Sequence, residues 1–314
     1  MDLLDRSPFA LRVCAAVALL AGCGGSSQLG PSPIQQGAPQ RLALGRSWMA
    51  TEAKNTDLVY VGGYYGSSAV SAFTYPGLKY VYSISGVTGA LCAAKTGNWW
   101  AVAPGADNVL EYAHGGTTPL KTLSIGGEPA GCAVDPTSGD LAVTTLGTGD
   151  VVVFTGGSGF GSTIADDLSS SYFDGYDNKG DLFVDGITPS DTYGVVELPK
   201  GSSTFESIKL SHTLEFPGGI QWYDGYLALG DQEAGAIYHF AINGTNAKEI
   251  GATELGGSSD VVQFDIQRPY LVGADAGNAD VALWKYPAGG SPKKVINGQS
   301  DLPIGVVVSV GKKR

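Results

Sequence analysis

Asp177-Asn178-Lys179-Gly180-Asp181-Leu182-Phe183-Val184-Asp185 is a turn followed by a short strand. Asp, Asn and Gly supply the side-chain caps and the positive φ that a tight hairpin needs. The Leu-x-Val that follows alternates as a short strand does. The same apolar-x-apolar element recurs at Val59-Tyr60-Val61, Trp100-Ala101-Val102, Leu141-Ala142-Val143, Leu227-Ala228-Leu229 and, more weakly, Leu271-Val272-Gly273. The steps between first residues are 41, 41, 41, 45 and 44. A period of that length, made of short strands and Gly-rich turns, is the signature of propeller blades.

Each repeat parses into four strands. Strand A is short and apolar, as in Gly131-Cys132-Ala133-Val134, and strand B is the element above. Strand C carries an apolar residue, two variable ones and a large apolar one. Its copies are Val70 to Phe73, Val109 to Tyr112, Val151 to Phe154, Val195 to Leu198, Ile237 to Phe240 and Val281 to Trp284. Those large residues are read as packing between blades. Strand D is more polar, as in Pro119-Leu120-Lys121-Thr122-Leu123, and lysine on an outer edge discourages edge-to-edge pairing. The first B strand lacks a good A strand before it. The chain ends instead with Leu302-Pro303-Ile304-Gly305-Val306-Val307-Val308, which matches strand A elsewhere. The expected fold is therefore an all-β, six-bladed propeller of four-stranded antiparallel blades, with the C-terminal strand completing the first blade.

Composition agrees. Of 314 residues 47 are Gly and 16% are charged, which suits short strands and tight turns. The net charge of -11 argues against nucleic acid as a partner, because phosphate recognition needs basic patches. The basic run Lys312-Lys313-Arg314 reads as a solvated tail.

The N-terminus reads as a targeting segment. Arg6 and Arg12 precede an apolar stretch, Val13 to Ala21, too short to span a bilayer. It ends in Leu20-Ala21-Gly22-Cys23, which resembles a bacterial lipoprotein signal. That resemblance implies cleavage before Cys23, acylation of Cys23 and a membrane as partner through the acyl anchor. The expected domains are a signal peptide over 1–22, a lipidated Cys and flexible tether over 23–50, and one propeller domain over 51–314. Cys14 leaves with the signal, so Cys92 and Cys132 remain in an oxidising compartment. Three readings stay open for them: a disulfide between blades 2 and 3, two buried thiols, or a soft-metal pair.

Asp177 to Asp185 and the related Gly-Asp-Leu-Ala-Val at residues 139–143 resemble the blade motif of NHL-type and SMP-30-like propellers. The lipobox, the tether, Glu111-Tyr112-Ala113-His114-Gly115-Gly116 and Tyr286 to Pro292 are similar to uncharacterised bacterial lipoproteins of this class. The SMP-30-like resemblance implies a gluconolactonase-like, metal-dependent hydrolase or lyase with a divalent ion in the central tunnel. Aligning strands A places Cys92, Cys132, Asp174, Ile220, Val262 and Val306 at equivalent tunnel-lining positions. Asp174 is the one hard-cation ligand among them, and one carboxylate is not a calcium site. No cofactor is expected, with calcium the ion the resemblance leaves open.

On one rim, acids gather in the loops: Asp150, Asp185, Asp231 and Asp275, with Asp107, Asp191, Glu233 and Asp280. They suit a polar-ligand site or ordinary turn chemistry. Tyr64, Tyr65, Tyr172, Tyr176, Tyr193 and Trp222 suit a stacking surface there or half-buried β structure. The leading expectation is a monomeric, lipid-anchored scaffold of the bacterial cell envelope, on its periplasmic or extracellular side. It would bind a protein or polysaccharide partner, with the gluconolactonase-like enzyme as the alternative.

Overall fold

A computed structural model describes residues 49–64, 69–297 and 302–311. The signal peptide, Cys23, all of the tether before Met49, Tyr65 and the Lys312–Arg314 tail lie outside the described residues.

Blade 1 is built from strands Pro303–Ser309 (A), Leu58–Gly63 (B), Ala69–Thr74 (C) and Tyr80–Ser85 (D). Blade 2 follows with Leu91–Ala93, Trp99–Ala103, Asn108–Tyr112 and Pro119–Ser124. In blade 3 the strands are Pro129–Val134, Leu141–Thr145, Asp150–Phe154 and Ser162–Ala165. Blade 4 comprises Ser170–Tyr176, Leu182–Ile187, Tyr193–Leu198 and Glu206–Leu210. Blade 5 has Pro217–Tyr223, Tyr226–Asp231, Ala236–Asn243 and Asn246–Glu254, and blade 6 has Val261–Gln267, Tyr270–Asp275, Asp280–Lys285 and Gly289–Asn297. Within each blade the pairing is antiparallel in the order A-B-C-D. The six A strands neighbour one another cyclically, so they form the inner ring. Hairpins between A and B, and between C and D, lie at the lower end. Those between B and C, and the D-to-A crossings, lie at the upper end.

The C-terminal strand closes blade 1: Val59 pairs with Val308, Tyr60 with Val307 and Val61 with Val306. The clasp fits tightly, because a Cβ on Gly305 would collide with the Gly89 carbonyl of blade 2. His114 of blade 2 joins both ends of the described chain. Its Nδ1 lies 2.6 Å from Ser309 Oγ and its Nε2 lies 3.0 Å from the Ala53 carbonyl of the Thr51–Asn55 turn. Ala53 is fully buried there, beside Tyr60, Trp99 and Tyr112. Trp99 is stacked between Tyr60 (4.1 Å) and Tyr112 (4.6 Å). Each such pair adds about 0.5–1.5 kcal/mol beyond area burial. The large residues of strand C, such as Phe73, Phe154, Phe240 and Trp284, are buried, as their spacing led us to expect.

Blades 4 and 5 are further joined at their outer edges. The hairpin between Ala236–Asn243 and Asn246–Glu254 is long, and its start pairs in parallel with blade 4: Lys209 with Asn246, Leu210 with Ala247. The two outer edges thereby satisfy each other's backbone groups, a device beyond the lysines expected on strand D.

Pairing corrects two positions in the inner ring. Partners of the third residue in strand B are Val306, Leu91, Cys132, Asp174, Ile220 and Phe264. The equivalent residue in blade 2 is thus Leu91 and not Cys92. In blade 6 it is Phe264 and not Val262. The Trp99-Trp100 doublet allows two registers, and Trp99, opposite Tyr112, is the one used. In blade 6 a β-bulge between Val261 and Gln263 shifts the count.

Candidate functional site

Successive residues of a strand point to opposite faces. In a ring of blades, one face meets the previous blade and the other meets the next. The contacts follow that rule. Phe264 lies against Gly219 of blade 5, and Ile220 against Gly175 of blade 4. One residue further along, Gln221 accepts from Ile266 N of blade 6 at 2.8 Å. Asp265 at that same register position accepts from Val308 N of blade 1 at 2.8 Å. Two side chains from neighbouring blades can therefore meet only if their positions differ by an odd step. Cys92 and Cys132 differ by one step and are joined by a disulfide, S–S 2.04 Å and Cα–Cα 5.6 Å.

The other positions read as tunnel lining turn into the seams between blades. Val306 is 1% exposed and packs with Val272 and Ala274, and Ile220 packs with Leu229 and Phe240. Val262 is half-buried against that second cluster. Asp174 faces blade 3, 5% exposed, with both carboxylate oxygens buried and lacking a hydrogen-bond partner. Burial holds its carboxyl well above the usual carboxylate range, and the nearby Asp185 pushes it further.

Asp185 is fully buried beside it. Its Oδ1 accepts from Phe173 N at 3.0 Å and its Oδ2 from the Tyr193 hydroxyl at 2.9 Å. The Phe173 amide is released by the β-bulge in strand A, between Ser171 and Asp174. In blade 3 the equivalent amide, Gly131 N, is met by Thr144 Oγ1 at 2.8 Å. Burial pushes Asp185 up to about 8 despite these two bonds. At neutral pH blade 4 thus holds two adjacent carboxyls whose charged forms are strongly disfavoured.

Other rim acids are turn caps. Asp231 Oδ2 accepts from Glu215 N (2.8 Å), and its Oδ1 accepts from Phe216 N (3.3 Å) and Glu233 N (3.2 Å). Asp275 at the same position of blade 6 accepts from Ser259 N (3.1 Å), Asp260 N (3.0 Å) and Asn278 N (3.2 Å). Asp150 opens strand C of blade 3 and is half-buried. Burial and the Asp275 charge push Asp260 and Asp280 each up to about 6.

The aromatic candidates separate. Tyr193 is opposite Ile187 at the upper end, but Tyr176 is opposite Leu182 and Trp222 opposite Leu227, both at the lower end. Tyr176 and Trp222 are therefore not on the rim of Asp150, Asp185, Asp231 and Asp275. The chain reverses between strands A and B, which puts the last residues of A beside the first of B, a full strand length from the end of B. Trp222 stacks on Phe183 of blade 4 at 5.9 Å.

Among the described residues no group of three or more His, Cys, Asp or Glu could hold a metal ion. The inner positions Leu91, Cys132, Asp174, Ile220, Phe264 and Val306 do not fit a hard divalent cation, which needs several convergent oxygens.

A cavity of about 170 Å3 opens at the upper end of blade 4, lined by Tyr193, Ile208, Leu210, His212 and Leu214 among others. Sequence reasoning missed it. The available signal was the late Asn243-Gly244 turn, which lengthens the blade 5 hairpin that packs beside it.

Fold and inner ring together define a β-propeller protein. No family model matches the chain. A chain in the crystal structure of a nidogen/laminin complex superposes with a TM-score of 0.67 at 12% identity, covering 82% of this chain and 100% of that one. A protein of unknown function from Bacteroides caccae superposes at 0.62 with 14% identity, covering 81% and 99%. At such identities the likeness concerns fold alone. A 69-residue stretch is 38% identical to 6,7-dimethyl-8-ribityllumazine synthase of Bartonella henselae, covering 19% of this chain and 44% of that enzyme. The chain thus spans less than half the length of this curated relative, and the match shows no shared family.

Proposed function

We propose that this chain is a lipid-anchored propeller of the bacterial cell envelope that works as a binding or assembly scaffold. One observation carries the reading: the inner-ring positions where an NHL- or SMP-30-like enzyme would gather ligands are filled by side chains packed between blades. The rim acids with the deepest burial are spent on backbone amides. Anchoring is supported by Leu20-Ala21-Gly22-Cys23. That one structural neighbour comes from a complex between proteins adds a fold-level analogy for protein binding.

The test is fractionation of cells carrying the native chain or Cys23→Ser. The native chain should sediment with membranes and the variant should be soluble. Equal solubility removes the anchor. Stoichiometric calcium or zinc in purified protein, together with hydrolysis of a sugar lactone, would replace the scaffold reading with the gluconolactonase-like one.

A further inference from the structure

Charge is divided between the two ends of the propeller. Among the described residues, the upper-end loops expose Asp107, Asp167, Asp191, Glu215 and Glu233 and contain no Lys or Arg. Lower-end loops carry Lys79, Lys95, Lys179, Lys200 and Arg268 among their acids. The described upper-end loops are therefore net acidic and favour cations, with Lys209 and Lys248 on the strands beside them.

The blade 4 cavity lies within that field. Ile208 and Leu214 give it an apolar wall, 6% and 2% exposed. Tyr193 donates its proton to Asp185, which leaves the hydroxyl oxygen as an acceptor. His212 stacks on Tyr238 at 4.3 Å, and its Nδ1 lies 3.1 Å from Glu249 Oε2. Burial pushes the Tyr238 hydroxyl up, and Asp231, Glu254, Glu249 and Glu215 push it further, so four carboxylates act on this one ring. Pockets that take drug-sized ligands measure roughly 300–1,000 Å3. A volume of about 170 Å3 fits a single extended side chain.

We propose that this cavity receives the side chain of a lysine or arginine presented by a partner polypeptide, its alkyl stem against Ile208, Leu210 and Leu214 and its cationic head towards Glu249 and the Tyr193 oxygen. A long basic side chain combines the two properties that the site combines, an apolar stem and a charged tip. The proposal rests on the scaffold reading for its biological setting. The binding itself is measured on purified full-length chain, so failure here leaves the fractionation result untouched.

Binding is followed by NMR at low ionic strength with acetyl-Gly-Lys-Gly-amide, the uncharged acetyl-Gly-Met-Gly-amide and free cadaverine. The expected result is saturable binding of the Lys peptide, at least tenfold tighter than the Met peptide. Leu210→Trp, which fills the cavity, should abolish it. Glu249→Gln should weaken it severalfold, whereas Glu206→Gln, an equal charge change at the lower end of the blade 4 strand that carries Leu210, should not. Lys and Met peptides binding alike overturns the proposal, as does retention of binding in Leu210→Trp. Equal loss in both Glu variants would reduce the effect to net charge. Cadaverine binding without the Lys peptide would assign the site to free amines and remove the polypeptide partner. Should Leu210→Trp fail to fold, the pair of Glu variants still decides.

Discussion

The seam between blades 2 and 3 and the seam between blades 3 and 4 fill the same slot in opposite ways. Register places Cys92 and Cys132 in the first, and Ala133 and Asp174 in the second. One slot is closed by a covalent bond. The other holds a methyl group and a carboxyl with no partner for either oxygen. A ring fold tolerates a costly seam because each blade is also held from its other side and the ends are clasped.

The harshest way to break the comparison is to open the ring elsewhere. Deleting residues 302–314 removes the clasp and exposes two edges, strand B of blade 1 and the blade 6 seam. We expect loss of the cooperative thermal transition and self-association by light scattering. A truncated chain that stays folded and monomeric would mean that closure matters less than the seams.

Next comes the covalent seam. Cys92 and Cys132 close a loop with a sequence separation of 40. Chain entropy over such a loop gives about 4 kcal/mol. Cys92→Ser with Cys132→Ala should lower unfolding free energy by that order in urea, and a thiol count on unreduced native protein should find no free thiol at these positions.

The acid seam should show itself through pH. Asp174 and Asp185 have folded-state values raised above the unfolded one. Their contribution is whole below about pH 4 and is lost as pH rises towards the folded value, about 8 for Asp185. Burial lowers His239, whose contribution is present above about pH 6.5 and lost below it, so the clean window lies above 6.5. The urea midpoint should therefore fall between pH 6.5 and 8, and Asp185→Asn should flatten that fall. A midpoint rising over this window would contradict the burial of the pair.

The smallest change expected is a gain. Asp174→Asn removes a latent charge and its repulsion with Asp185 at the expense of one still-unpartnered amide. Stability at pH 8 should rise by about 1 kcal/mol, measured by the shift of the urea midpoint. A loss of the same size would reveal a partner for Asp174.

Much of the fold was legible because a ring of blades writes its period into turns. The large residue closing strand C marks every blade, Gly-, Asp- or Asn-containing turns precede strand B in most of them, and the Pro-x-Gly of the last strand announces the clasp. Side-chain direction was less legible. Trp99 and Trp100 both satisfy an apolar-x-apolar pattern, so Cys92 was read one position out of register. A bulge between Val261 and Gln263 carries no residue type of its own. Tyr176 and Trp222 were assigned to the wrong end because sequence distance from a turn does not say which end of a strand that turn closes. The cavity uses ordinary strand residues, and only the hairpin of the neighbouring blade makes it visible.

The parallel contact between Lys209–Leu210 and Asn246–Ala247 has a further consequence. Six free outer edges would make the circumference nearly uniform, offering a strand-adding partner equivalent landing places all round. Here two adjacent edges are occupied by each other. The perimeter acquires a marked sector, and a ligand that docks along an edge can tell its angular position from it.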